Sequence, residues 1–287
     1  MAALPGIVAE LCEKWALRLG PTIKGGKWAY VVRVTTADGD EAVLKVSPPD
    51  PEFAMRARLI AAADGHGYVR LLDQDVDRCA MLLEPLGLPL SSTGSSPEEM
   101  LDVLAATLRQ AWLVPCVPGT TVPSVDDKAS GLIGLLDELW PATGKPCSQR
   151  LISMARRFAE QRAEGTAEMN RVACHGDSHP ANLLAIGKPR SGAESGYVFV
   201  DPDGILCDPA YDLGVAMSGW PEPVLRADDP TALVRGWSKR LAAATDLDEQ
   251  AIWEWAFAER VTSGLYLMRH GHRAEGQELL ASAELLA

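Results

Sequence analysis

The segment CHGDSHPAN at 174–182 places an aspartate, two histidines and an asparagine in a short polar stretch, and YVFVDPDG at 197–204 follows with Asp201 at the end of an apolar run. A β-branched and aromatic run of this kind predicts a strand, so the carboxylates of Asp177 and Asp201 and the amide of Asn182 are expected to converge. A hydroxyl attacking a terminal phosphate needs a carboxylate to orient it and accept its proton, a role that suits Asp177. It also needs hard oxygen ligands for Mg²⁺, which Asn182 and Asp201 offer. The chemistry implied is phosphoryl transfer from ATP or GTP. Taken singly, each residue also fits a structural role, since Asp and Asn cap helices and initiate turns. An element upstream favours the chemical reading.

That element is EAVLKV at 41–46, where Lys45 stands among Ala42, Val43, Leu44 and Val46. A lysine inside an apolar strand must reach solvent or hold an anion, because an unpaired buried ammonium is costly. Nucleotide phosphate is the natural anion, with Lys45 as its holder. Seven residues on, Glu52 opens the helix-like run PEFAMRARLIAAAD, with Pro51 suited to its first turn. In the kinase arrangement a helix glutamate pairs with the strand lysine and sets its reach to the phosphates, which makes Glu52 the candidate partner of Lys45. Stabilisation of the helix dipole is the alternative role for Glu52.

The elements that position these residues follow from punctuation. The first twenty residues read as an amphipathic helix carrying Glu10 and Glu13, not a signal peptide, and no run of eighteen apolar residues occurs, so a cytoplasmic location is expected. Sequence up to Leu90 is rich in strand patterns with one helix. A Ser/Gly linker, SSTGSSPEE, then leads into a helix start in which Ser96, Pro97 and Glu99 have capping-box spacing. Helices are predicted near 97–113, 128–140, 148–164, 209–219, 230–244, 248–271 and 275–286. The division expected is an N-terminal nucleotide-binding lobe over 1–87 and a catalytic and acceptor-binding lobe over 88–287. If Leu83 ends the last strand of the small lobe, the carbonyl of Glu84 and the amide of Leu86 are set to bond a purine edge across Pro85, or the segment is a plain hinge.

GGKW (25–28), VLKV (43–46), Glu52, MLLEPL (81–86), HGDSHPAN (175–182), VDPDG (200–204) and DPAYDLG (208–214) occur in the order in which the aminoglycoside phosphotransferases carry related motifs. The chain resembles that family over roughly residues 15–275. Within it, YVRLLDQD (68–75) and AMLLEPL (80–86) look similar to the streptomycin 6-phosphotransferases and the aminoglycoside/hydroxyurea resistance kinases. The resemblance implies an α+β, bilobal protein-kinase-like fold, small and β-rich first, larger and mainly helical second. It also implies ATP with Mg²⁺, and Asp212 bracing the catalytic loop from beneath. GPTIKGGKWAY supplies only a loose glycine turn where protein kinases carry GxGxxG.

Composition narrows the partners. The chain has 287 residues and a formal net charge of −12, which argues against binding nucleic acid and leaves room for a cationic small molecule. Six scattered cysteines without CxxC suggest neither a zinc cluster nor a disulfide framework, and Cys174 is expected to pack rather than react. His270 and His272 lack a third metal ligand nearby. Trp220, Trp237, Trp253 and Trp255 lie close in sequence to Glu222, Glu254 and Glu259, either as core anchors or as walls of a cleft for a polyhydroxylated cation, with Glu222 the first carboxylate to test. The function expected is transfer of a γ-phosphate to a hydroxyl of a small cationic molecule such as streptomycin. The alternatives are a kinase of the same fold acting on choline, homoserine or a sugar, and a nucleotide-binding module without chemistry.

Overall fold

A computed structural model describes residues 4–23, 29–116, 125–165 and 171–287. The GGKW turn expected at 25–28 lies outside the described residues. Five antiparallel strands build the first sheet in the order β1-β2-β3-β5-β4: β1 (Arg18–Thr22), β2 (Tyr30–Thr35), β3 (Glu41–Val46), β4 (Leu71–Asp75) and β5 (Ala80–Leu83). The alternation of β3 explains where its side chains go. Ala42, Leu44 and Val46 pack with Val8 and Leu11 of helix α1 (Leu4–Lys14), whereas Val43 faces Phe53, Ala57 and Ile60 of helix α2 (Phe53–Ala63). Lys45 shares the parity of Val43, so its side chain leaves the sheet on the α2 side.

The helix at α2 starts later than the sequence suggested. Glu52 is its N-cap residue and Pro51 lies outside it, because the Asp50 side chain accepts from the amide of Glu52 at 2.9 Å and from Arg56 Nη1 at 2.6 Å, closing a turn before the helix begins.

Past Leu83 the chain changes sheets. β6 (Leu86–Pro89) pairs with β8 (Leu183–Ile186), which pairs with β9 (Tyr197–Phe199). A second small pair joins β7 (Val172–Cys174) to β10 (Ile205–Cys207). The remaining chain is mainly helical: α3 (Pro97–Ala111), α4 (Val125–Ala142), α5 (Gln149–Gly165), α6 (Pro209–Ser218), α7 (Pro221–Arg226), α8 (Pro230–Thr245), α9 (Glu249–Arg269) and α10 (Arg273–Glu284). Helix α3 begins with the capping box read from the sequence: Ser96 Oγ accepts from the Glu99 amide at 3.2 Å and the Glu99 carboxylate from the Ser96 amide at 2.8 Å. The short helix α7 is absent from the helices expected from sequence, and Pro221 occupies its tolerated first-turn position.

Helix α9 is buried around most of its circumference and packs against α4, α5, α6, α8 and α10, which makes it the axis of the larger core. Its buried charges are partnered. Glu254 pairs with Arg162 at 2.6 Å, and Arg260 donates to Ser282 Oγ at 2.9 Å and to the Met217 carbonyl at 3.0 Å. Burial lowers the Arg260 guanidinium to about 10. Trp237, Trp253 and Trp255 are core anchors at 2%, 4% and 0% exposure, so three of the four tryptophans take the packing role.

Candidate active site

The loop between β7 and β8 is held from below by Asp212, the fourth residue of α6. This fully buried carboxylate accepts from the His175 and Gly176 amides, each at 2.8 Å, and from Trp112 Nε1 at 2.9 Å. Burial raises its pKa, and the three donors together with His175 work against that rise. Asp208, the N-cap of α6, accepts from the Ala210 amide and from Trp255 Nε1, so α6 is tied to both the loop and α9.

His175 is scaffold. It is completely buried, its Nδ1 accepts from the Asp177 amide at 3.1 Å and its Nε2 bonds the Val200 carbonyl at 2.9 Å, a pairing that puts the ring proton on Nε2. Its backbone carbonyl accepts from the Asp203 amide at 2.7 Å. Gly176 has φ of 89°, and a Cβ there would lie 2.6 Å from Asp203 Cβ, so only glycine lets the loop approach the VDPDG turn this closely.

Asp177 is half-buried and its two oxygens differ. Oδ2 accepts from Asn182 Nδ2 at 2.9 Å and lies 3.2 Å from His179 Nε2. The Ala181 amide donates to His179 Nδ1 at 3.2 Å, so the ring proton sits on Nε2 and points at the carboxylate. Burial would raise the Asp177 carboxyl, but His179, His175 and Asn182 outweigh it and hold it below the usual range. Asn182 spends its amide nitrogen on the Asp177 carbonyl and Oδ2, both at 2.9 Å, which leaves Oδ1 for another partner. Its backbone carbonyl accepts from Val200 at 2.9 Å, tying the loop to the residue preceding Asp201.

Asp201 sits at φ 58°, in the left-handed region, and its carboxylate forms an ion pair with Lys45. Lys45 and Glu52 are not brought together: the Glu52 carboxylate pairs with Arg56, one helical turn on, at 2.8 Å. An arginine four residues on lies on the same helix face as Glu52 and takes its carboxylate. Asp203, which sequence reasoning left without a role, lines the same cavity as Asp177. Burial, then the charge of Asp177, raise its pKa.

The crossover between sheets is clamped. Glu84 receives two bonds of 2.6 Å from Arg190, in the loop between β8 and β9, and one of 2.8 Å from the Arg70 amide. Arg190 also reaches the Tyr68 and Gly65 carbonyls, both at 3.3 Å. Leu86 opens β6 in register with Ile186.

Beyond Asp177 opens a cavity of about 540 Å³, walled by Met100, Lys128, Asp203, Tyr211, Trp220 and Glu259 among others. This lies within the roughly 300–1,000 Å³ of small-molecule pockets. Glu222 is not part of that wall and pairs with Arg226 at 2.6 Å on the surface; the carboxylates that line the cavity are Asp177, Asp203 and, from α9, Glu259. A side chain on α9 facing α6 could not be assigned to a wall from local sequence, since α9 carries little amphipathic pattern.

The donors available for a metal are hard oxygens: the Asp201 carboxylate and Asn182 Oδ1. Among the described residues no group of three or more His, Cys, Asp and Glu side chains forms a metal cluster, and His270 instead bonds the Tyr266 carbonyl. A set of few protein oxygens suits Mg²⁺, which keeps waters and takes phosphate oxygens to complete its octahedron.

In overall fold the chain is similar to a choline kinase from Streptococcus pneumoniae, at 13% identity and a TM-score of 0.64 over 99% of this chain and 98% of that one. The fold is the bilobal protein-kinase-like one. Residues 14–271 match the family of aminoglycoside/hydroxyurea antibiotic resistance kinases, and the chain belongs to that family. It is 29% identical to a streptomycin 6-kinase of Streptomyces griseus over 100% of this chain and 90% of the relative. It is 30% identical to a hydroxyurea phosphotransferase of Kitasatospora aureofaciens over 99% of this chain and 78% of the relative. The protein is thus a small-molecule phosphotransferase.

Proposed function

We propose that the protein transfers the γ-phosphate of ATP to a hydroxyl of a cationic acceptor, streptomycin at its 6-hydroxyl, and thereby confers resistance. The observation that carries this reading is the position of Asp177 in the wall of the cavity, with Oδ2 bonded by Asn182 and faced by His179, so that Oδ1 is left for the acceptor. The 28–30% identity to named streptomycin and hydroxyurea kinases along the whole chain supports the acceptor class. A cavity of about 540 Å³ favours an acceptor far larger than hydroxyurea.

In this reading Asp177 Oδ1 orients the acceptor hydroxyl and takes its proton while the new O–P bond forms and the bond to the β-γ bridging oxygen breaks, releasing ADP. Lys45 holds the nucleotide phosphates. Asn182 and Asp201 would hold Mg²⁺, which would supply positive charge beside the phosphates. Glu84 contributes its main-chain carbonyl and Leu86 its amide to the purine, at a crossover kept rigid by Arg190. Glu52 is paired with Arg56 and is given no role toward Lys45 in this reading. The lobes divide at residue 87, with 1–87 binding nucleotide and 88–287 binding the acceptor. No described helix is long and apolar enough to cross a membrane, which accords with action in the cytoplasm.

Incubation with ATP, Mg²⁺ and streptomycin should give one added phosphate by mass spectrometry. Turnover of hydroxyurea or choline with streptomycin unmodified would keep the kinase and discard this acceptor.

A further inference from the structure

The cavity holds a cation of its own. Lys128 Nζ lies 3.5 Å from Glu259 Oε1 and 4.8 Å from the centroid of the Tyr211 ring, while Tyr211 donates its hydroxyl to the same Oε1 at 2.5 Å. A carboxylate beside an aromatic face is the chemistry that receives ammonium and guanidinium groups. The Tyr211 hydroxyl also lies 3.5 Å from the Gly176 carbonyl, so this cage stands directly beside the residue that precedes Asp177.

The two contacts to Glu259 differ in kind. The tyrosine bond is short and fully buried, so the carboxylate is fixed in place. At 3.5 Å the lysine contact is longer than the roughly 2.7–2.9 Å of a charge-assisted hydrogen bond, and the ammonium rides on a flexible four-carbon stem at the cavity wall. Glu259 is the permanent half of the pair and Lys128 the replaceable half.

We infer that Glu259 and the face of Tyr211 form the cation-binding subsite for the acceptor, and that Lys128 is an internal counter-ion which the acceptor's cation displaces. This rests on the acceptor reading above and deepens it. The ligand is an ammonium or guanidinium group held near the hydroxyl that Asp177 addresses. Lys128 offsets the cost of the nearly buried Glu259 charge when no acceptor is present, and it taxes every acceptor by the work of moving it. A neutral acceptor cannot replace it, so the device selects cations.

Calorimetric titration of the full chain with streptomycin separates the roles. Glu259→Gln keeps the shape and the tyrosine bond but loses the charge, and it should weaken binding about tenfold or more. Lys128→Met removes the competitor and should tighten binding. A merely structural ion pair would make both variants bind more weakly, and a lysine that itself held the acceptor or its incoming phosphate would make Lys128→Met weaker or slower. Either result overturns the inference. ATP affinity, unchanged in both variants, reports an intact fold. Methylguanidinium serves as a second probe. If it responds to both substitutions as expected while streptomycin binds none of the proteins, the cage stands and the streptomycin assignment falls. If both probes are indifferent to the substitutions, the cage falls.

Discussion

Lys45 and Asp201, 156 positions apart, form an ion pair that joins β3 of the five-stranded sheet to the turn just past β9. Asp201 is 51% exposed, so the pair adds little to stability, and the proposed function predicts that its loss is felt in turnover. Lys45→Ala should raise the KM for ATP and lower kcat. Asp201→Ala should lower kcat on the order of 10²-fold or more and raise the Mg²⁺ concentration needed for half-maximal rate. An unchanged Mg²⁺ titration in Asp201→Ala and Asn182→Ala would refute the ligand roles.

Asp177→Asn should lower kcat by about 10²–10⁴-fold while nucleotide affinity stays near that of the parent. His179→Ala removes one of the two groups that face Oδ2 and leaves Asn182 in place, so its loss should be smaller, about tenfold, and should fall on kcat rather than on either KM. Near-parental turnover by Asp177→Asn would end the assignment of the base.

Arg190 and Glu84 are exposed at only 11% and 16%, and the guanidinium makes a two-bond fork. Arg190→Gln strands a nearly buried carboxylate, which costs about 3–5 kcal/mol where burial is complete and somewhat less here. Denaturant unfolding measures the loss. If the clamp positions the crossover for the purine, the KM for ATP rises while the acceptor KM stays constant. A uniform rise in both would reduce the clamp to a stabilising contact.

What the sequence conveyed was local chemistry in a recognisable setting. The strand around Lys45, the capping box at Ser96 and the loop from His175 to Asn182 are each defined within a few residues, and the structure has the strand, the cap and a loop in which Asn182 bonds Asp177. Pairings between distant residues were not legible. Nothing in the spacing shows that Arg56 takes the Glu52 carboxylate, or that Arg190 reaches back to Glu84. Nor does the near-continuous burial of α9 mark which of its three buried charged residues faces a cavity. Glu259 differs from Glu254 only in what α4, α5 and α6 bring against it: Lys128 and Tyr211 in one case, Arg162 in the other. The second aspartate of VDPDG was readable as a motif but its role depends on how closely Gly176 allows the loop to approach.

Helix α1 is fastened to the turn between β4 and β5 by a carboxylate at 6% exposure, and this makes its attachment sensitive to acid. Asp75 accepts from Lys14 Nζ at 3.0 Å, from the Arg78 amide at 3.0 Å and from Arg78 Nη1 at 3.2 Å. Burial would raise its pKa, but the bonds and charges of Lys14 and Arg78 outweigh burial and leave it below the ordinary value. A carboxyl whose folded pKa lies below its unfolded one binds fewer protons folded than unfolded, so its stabilisation is complete above the unfolded value of about 4 and disappears as pH falls through the folded value. Asp75→Asn keeps the shape and removes the charge, and the loss of charged hydrogen bonds should cost on the order of 1–3 kcal/mol at neutral pH. Unfolding free energies of parent and variant, measured from neutral pH down to about pH 3, should therefore converge as the solution becomes acidic. Curves that stay parallel across that range would show that the Asp75 contacts carry no linkage, and that α1 is held by the apolar contacts of Val8 and Leu11 and by the Glu10–Arg78 ion pair.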